Sequence, residues 1–143
     1  MIVSNLRFLA DTSALVRLFR DPGILDEWQD VVDAGLVSTC PITELELLHT
    51  ARSWADRKHQ QGLLREMFGW VVMPERVFDQ AIEVQEALAA RGSHRSADSV
   101  DLLTAVAASN HRLVLLHYDR DFVEVARVTG QRVKWLTDPG SID

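Results

Sequence analysis

Short apolar runs alternate along this chain with longer stretches whose apolar residues recur at helical spacing. Leu6 to Ala10 reads as a buried strand that ends at Asp11, and Asp11-Thr-Ser offers N-cap chemistry for a helix over Ala14 to Phe19. Asp21-Pro-Gly reads as a turn. A helix follows over Ile24 to Ala34, Gly35 stops it, and Leu36 to Thr39 makes a second strand. Pro41 and Thr43 open a helix that runs to about Gln60 and continues through Leu63 to Phe68. Gly69 breaks it, and Trp70 to Met73 reads as a strand. Pro74 starts a helix over Val77 to Ala90, and Arg91 to Ser96 is a loop. Ala97 to Asn110 reads as a helix with Val100, Leu103 and Ala107 on one face. Leu113 to Leu116 is a buried strand, Asp121 opens a helix to about Thr129, and Arg132 to Leu136 is the last strand.

This alternation implies an α/β fold with a central parallel sheet covered on both faces. In such sheets, ligand groups collect beyond the carboxyl ends of the strands. Asp11 directly follows one strand, and Asp119 lies just past another. No repeat, low-complexity tract or linker divides the chain, so residues 1–143 read as a single domain. Hydrophobic residues make up 47% and charged residues 25%, which excludes disorder as the default. No apolar run is long enough to span a bilayer, and the first residues lack a cleavage pattern, so neither a membrane span nor a signal peptide is expected. The lone Cys40 fits a reducing cytoplasm and the role of a small buried hydrophobe.

The net charge of −6 argues against a sequence-specific nucleic-acid binder, unless the acids gather in one metal-binding pocket. The acids at strand ends and helix starts are Asp11, Glu44 or Glu46, Asp98 or Asp101, Asp119 and Asp121. Each has a structural explanation alone: Asp11 and Asp121 as helix caps, Asp98 with Asp101 as a capping box, Glu44 and Glu46 as solvated helix acids. Together they suggest more. Glu46 stands among leucines, and Asp101 precedes Leu-Leu-Thr-Ala-Val-Ala-Ala, and acids beside an apolar helix face are costly unless paired. Two carboxylates ~4 Å apart repel by about 4 kcal/mol at an effective dielectric of ~20. A proton or a cation must relieve that, and oxygen ligands with few histidines favour Mg²⁺ or Mn²⁺ over zinc.

The segments FLADTSAL, PITELELLHTAR, DLLTAVAA and HYDRDF occur in that order. Their ordered set resembles the four motifs of PIN-domain nucleases, specifically the VapC-type toxins of bacterial toxin–antitoxin pairs. The resemblance implies a three-layer α/β/α PIN-like fold and Mg²⁺-dependent endoribonuclease activity on structured RNA such as tRNA or rRNA. It further implies hydrolysis by an activated water that leaves a 5′-phosphate, a homodimer, and a cognate VapB-like antitoxin. Carried over residue by residue, Asp11, Glu46, Asp101 and Asp119 match the catalytic acids, with Glu46 preferred to Glu44. Asp11, Asp101, Asp119 and Asp121 match the metal-binding set, and Ser13 matches a hydroxyl that braces it. The chain departs from the family at His117, where a Thr or Ser is usual, and at Thr50, where a Gly is common. His117 either replaces the hydroxyl as a donor to a carboxylate, which is preferred, or touches substrate phosphate.

Arg17 and Arg20, one turn beyond Asp11, and His94 and Arg95 in the loop before Asp101 are candidate RNA contacts, although the first two positions also suit antitoxin contacts. Glu46-x-x-His49 is half of a di-iron helix motif, but no second half exists. The four tryptophans are expected in core or interface positions rather than as base-stacking platforms. The competing reading is a non-catalytic RNA-binding domain, or a receiver-like signalling domain with an acidic Mg²⁺ pocket. A receiver needs a lysine after a late strand, and the only lysines, Lys58 and Lys134, fit that place poorly.

Overall fold

Two strands with apolar side chains on both faces organise the molecule. The computed structural model describes residues 6–143, so the expectation of no signal peptide at the start of the chain partly lies outside the described residues. β1 (Phe8–Ala10) and β4 (Val114–His117) lie side by side at the centre, in register Phe8 to Val114, Leu9 to Leu115 and Ala10 to Leu116. β2 (Val37–Thr39) and β3 (Gly69–Trp70) extend the sheet on one side, and β5 (Val133–Trp135) on the other. The order is β3-β2-β1-β4-β5, and every pairing is parallel.

Side-chain alternation along a strand sends successive residues to opposite faces. Phe8, Ala10, Val114 and Leu116 join one core with α1 (Thr12–Arg20), α2 (Pro22–Asp33), α3 (Pro41–His49) and α4 (Trp54–Met67). Leu9 and Leu115 join a second core with α5 (Val77–Ala90), α6 (Ser99–Asn110) and α7 (Asp121–Thr129). The result is the expected three-layer α/β/α arrangement. Among the described residues, no helix is long and apolar enough to cross a membrane. Cys40 is buried, as expected, and forms a capping pair with Thr43 at the start of α3.

The structure departs from the sequence reading in four places. The helix expected to run from Pro41 to Phe68 is two helices, broken at Thr50–Ser53. The Thr50 hydroxyl donates to the Leu47 carbonyl at 2.7 Å, and Ser53 Oγ accepts from the Asp56 N–H at 3.0 Å, so both new helix ends are satisfied. Asp21-Pro-Gly is a helix start rather than a turn: Asp21 caps α2, and Pro22 occupies the first helical position, where its missing N–H costs nothing. β3 shrinks to an edge of two residues. Its Gly69 passes so close to β2 that a Cβ there would lie 2.7 Å from Ser38 Oγ, and Trp70 is the last residue with a partner because β2 ends at Thr39, just before α3 starts at Pro41. Finally, α6 is buried from Leu102 through Ala108 and not on one face only, because it lies between the sheet and α5, α3 and α7. Gly130 ends α7 in the left-handed region at φ 72°, a conformation that favours glycine.

Candidate metal centre and active site

The acids sit where a parallel sheet collects ligands, at the carboxyl ends of its two central strands. β1 ends at Ala10, and Asp11 follows as the N-cap of α1, only 4% exposed. Its Oδ1 accepts the Ser13 hydroxyl at 2.7 Å and the Ala14 N–H at 3.1 Å. Ser13 Oγ in turn accepts the Tyr118 N–H at 2.9 Å, which ties the end of β1 to the turn after β4. Ser13 therefore braces Asp11 and the neighbouring strand together.

β4 delivers the next two acids. Asp119 lies in the turn after His117, and its Oδ1 accepts the Asp121 N–H at 2.9 Å as α7 begins. Asp101 comes from another direction, in the first turn of α6. There Asp98 Oδ1 accepts the Asp101 N–H at 3.0 Å, and Asp101 Oδ2 accepts the Asp98 N–H at 3.2 Å. This reciprocal box holds Asp101 in one orientation. Asp101, Asp119 and Asp121 each offer a carboxylate oxygen, and these oxygens all lie within 4.8 Å of one another.

Like charges this close resist ionisation. Asp101 is pushed up to about 8, first by burial, then by the charges of Asp98, Asp119 and Asp11. Asp11 is pushed up to about 6 by burial and by Asp119, against the pull of its hydrogen bonds from Ser13 and Ala14. Burial and Asp119 also raise Asp121. Such a set is poised for a cation: all donors are hard oxygens, and a divalent ion replaces the protons that mutual repulsion otherwise demands. The donor chemistry thus fits Mg²⁺ or Mn²⁺.

Glu46 is not part of the three-acid group. It is half-buried on α3 and makes no side-chain hydrogen bond or ion pair among the described residues. Its neighbour Glu44 is engaged elsewhere, in a two-pronged pair with Arg65 of α4 at 2.9 and 3.1 Å. Of the two glutamates, Glu46 is the one whose carboxylate this arrangement leaves uncommitted.

His117 behaves differently from either sequence expectation. It is fully buried, so it cannot touch a substrate phosphate, and among the described residues it donates to no carboxylate. Its Nδ1 accepts the Asp119 N–H at 3.2 Å, which assigns the proton of the neutral ring to Nε2. Nε2 is buried without a hydrogen-bond partner, and the ring packs 5.3 Å from Phe122 and 4.8 Å from Trp135. Burial pushes the imidazole down to about 4 despite the Asp119 charge. His117 thus orients the backbone of Asp119 and does not act through its own charge.

The expected basic contacts separate into engaged and exposed residues. Arg17 donates to the carbonyls of Ser13 at 2.9 Å and Asp143 at 2.8 Å, and lies 4.6 Å over the Tyr118 ring. Arg20 is exposed on the rim of a groove between α1, α3 and α4. His94 and Arg95 are exposed in the loop before α6, and nothing in the geometry brings them to the acids. Trp28 is core, as expected, and its indole donates to the Leu136 carbonyl at 3.0 Å, whereas Trp54 is 73% exposed. Two participants escaped the sequence reading. Asp98 was legible as a cap, but its charge on Asp101 was not. Tyr118 contributes a backbone N–H, which leaves no signature in side-chain identity.

Comparison with known proteins agrees with this geometry. The PIN domain family matches residues 8–128. Ribonuclease VapC21 of Mycobacterium tuberculosis is 36% identical over 135 residues, covering 94% of this chain and 97% of the relative. Ribonuclease VapC51 of the same organism is 37% identical over 138 residues, covering 96% of this chain and 98% of the relative. Among solved structures, the DNA-bound VapBC from Salmonella typhimurium superposes with a TM-score of 0.74 at 19% identity, covering 92% of this chain and 99% of that one. The VapBC2 from Rickettsia felis bound to a promoter DNA fragment gives 0.76 at 12% identity, covering 91% and 98%. Family match, curated relatives and shared fold converge with the acid cluster at the strand ends: this chain belongs to the PIN-domain family, among its VapC-type members.

Proposed function

We propose that this protein is a metal-dependent endoribonuclease and the toxin of a VapBC-type toxin–antitoxin pair, one nuclease domain over residues 1–143 acting in the cytoplasm. The observation that carries the reading is the group of Asp101, Asp119 and Asp121 at the carboxyl end of the sheet, with buried Asp11 beside it. Mg²⁺ or Mn²⁺ bound by these carboxylates supplies positive charge for the phosphate oxygens of a structured RNA such as tRNA or rRNA. Asp11 uses Oδ1 for Ser13 and Ala14, which leaves Oδ2 to hold or accept a proton at the attacking water. His117 and Ser13 keep Asp119 and Asp11 in place, and Glu46 approaches the same RNA from α3. The test is cleavage of end-labelled tRNA and rRNA. Cleavage is expected on adding Mg²⁺ or Mn²⁺, is reversed by chelation, and is lost in Asp11→Asn. A product set unchanged by chelator, or by that substitution, rejects the reading.

The partner assignments rest on two surfaces. A groove of about 510 Å³ between α1, α3 and α4, lined by Val16, Phe19, Leu47 and Leu63 and by the polar Arg20, Thr50, Arg52, Asp56 and Gln60, suits an amphipathic antitoxin segment with both apolar and charged contacts. In the same RNA assay, an equimolar VapB-like antitoxin suppresses cleavage. On α5, Phe78 and Ile82 are 68% and 62% exposed beside Leu102 of α6, an apolar patch that supports a homodimer. The double variant Phe78→Glu, Ile82→Glu is expected to weaken dimerisation about 100-fold or more by sedimentation equilibrium. An unchanged dimer constant removes this face from the interface.

A further inference from the structure

The opposite end of the sheet carries a separate concentration of positive charge. Arg7 precedes β1, Arg112 precedes β4 and Arg132 precedes β5, and all three line one open depression of about 410 Å³. Among the described residues, no Asp or Glu lines it, in a chain of net charge −6. Among the described residues, none of the three arginines makes an ion pair with an acid. The strand register fixes their spacing. The Val114 N–H donates to the Arg7 carbonyl at 2.8 Å, and the Leu115 N–H donates to the Arg132 carbonyl at 3.1 Å. Arg7 and Arg132 therefore flank β4 from either side, two strand spacings apart, or about 10 Å. Arg112 sits between them.

A second observation makes Arg112 unusual. It is the one non-glycine residue with positive φ among the described residues, at 58°. Glycine or asparagine occupies such a position with less strain, and residues held there against preference cluster at ligand sites. A tight turn with no other demand is served by glycine, as Gly35 and Gly130 are used elsewhere in this chain. Arg112 closes α6 in this conformation, its N–H donating to the Ser109 carbonyl at 3.1 Å and the Leu113 N–H to the Ala108 carbonyl at 2.9 Å, and an exposed arginine in place of glycine puts a third positive charge on the depression, which an anion neutralises.

We propose that Arg7, Arg112 and Arg132 form a second RNA contact site, gripping the phosphodiester backbone at the end of the sheet opposite the acid cluster. The inference rests on the ribonuclease reading for the identity of the polyanion. Guanidinium groups suit phosphate oxygens. Among the described residues no aromatic side chain lines the depression for base stacking, so it takes the backbone and is indifferent to sequence. The two sites lie at opposite ends of β4, which alone is about 13 Å long, so an RNA that touches both must extend over several nucleotides along the side of the sheet. The arginines thereby favour structured RNA over short fragments.

The test is the affinity of labelled RNA for the full chain in chelator, across a salt series, with the variant Arg7→Ala, Arg112→Gly, Arg132→Ala. One RNA is a short single strand that covers only the acid cluster; the other is a long structured RNA. The variant is expected to bind the long RNA about 10-fold or more weakly, with the slope of log affinity against log salt reduced in magnitude by about 2. Binding of the short RNA stays unchanged. Arg112→Gly alone relieves the backbone, so its Tm is expected to hold or rise, which separates lost contact from lost fold. Unchanged affinity and slope for the long RNA overturn the proposal, as does an equal loss on both RNAs. A length-dependent loss in a protein that cuts no RNA with metal supports the site while defeating the nuclease reading.

Discussion

Asp101→Asn is expected to lower RNA cleavage by about 10³-fold or more and, in metal-free protein, to raise the Tm above pH 7. Both effects follow from one carboxylate. Asp101 belongs to the three-acid group and is held by the Asp98 capping box. Asn keeps an oxygen that can accept the Asp98 N–H, so the start of α6 survives. It removes a negative charge that the cation needs, and losing several kcal/mol of charge stabilisation in the transition state corresponds to about 10³ in rate. The stability effect has the opposite sign. In the folded chain Asp101 is pushed up to about 8, well above the usual carboxylate value. Its favourable contribution is complete below the unfolded value and is lost as pH rises through the folded one. Wild type is therefore penalised increasingly as pH rises above the unfolded carboxylate value, in full above about 8, and the Asn variant is not. Single-turnover cleavage and thermal melts in chelator from pH 5 to 9 read the two effects. A variant that cleaves within tenfold of wild type, or that melts lower than wild type at pH 8.5, contradicts the assignment.

The central strands were legible because both of their faces are buried, so Leu6 to Ala10 and Leu113 to Leu116 read as continuous apolar runs. The acids were legible because Asp11 and Asp119 follow those runs, and position beyond a strand end is a matter of chain order. The break between α3 and α4 was written as Ser53-x-x-Asp56, a cap signature hidden inside an unbroken helical pattern. Which acids meet depends on three-dimensional direction. Asp101 converges with Asp119 and Asp121 because α6 packs against the sheet with its first turn at the strand ends, and periodicity does not encode that approach. The role of His117 depends on which ring nitrogen faces the next turn. The residue type allows donor and acceptor alike, and only the placement of the Asp119 N–H decides. Arg112 gave no sign of its role, because a positive φ is a property of the backbone and arginine does not advertise it.

Divalent metal is expected to raise the Tm, and the increment is expected to grow from pH 5 to pH 8. A ligand at about 100 times its Kd adds about 2.7 kcal/mol to stability, which corresponds to roughly 8 °C for a domain of this size. The pH dependence comes from competition between cation and protons. Asp11 at about 6, Asp101 at about 8 and Asp121, also raised, all hold protons in the folded chain at pH values where the unfolded chain has released them. Metal must displace those protons, so it binds more tightly as pH rises towards 8. Without metal the same groups cost stability over that range, because folding must take up protons that the unfolded chain has released or, above the raised values, leave repelling carboxylates. His117 acts in the other direction: burial pushes it down to about 4, so the folded chain loses stability as pH falls from the unfolded histidine value towards 4. Above the unfolded histidine value the ring is neutral in both states, so a rise in the increment from about pH 7 to 8 belongs to the acids and not to His117. Paired melts with saturating Mg²⁺ or chelator, in wild type and Asp101→Asn, isolate the site. An increment that is flat or falls between pH 5.5 and 8.5, or that survives intact in Asp101→Asn, places the cation elsewhere. A rising increment that the substitution abolishes ties the repulsion among these acids directly to the cation they bind.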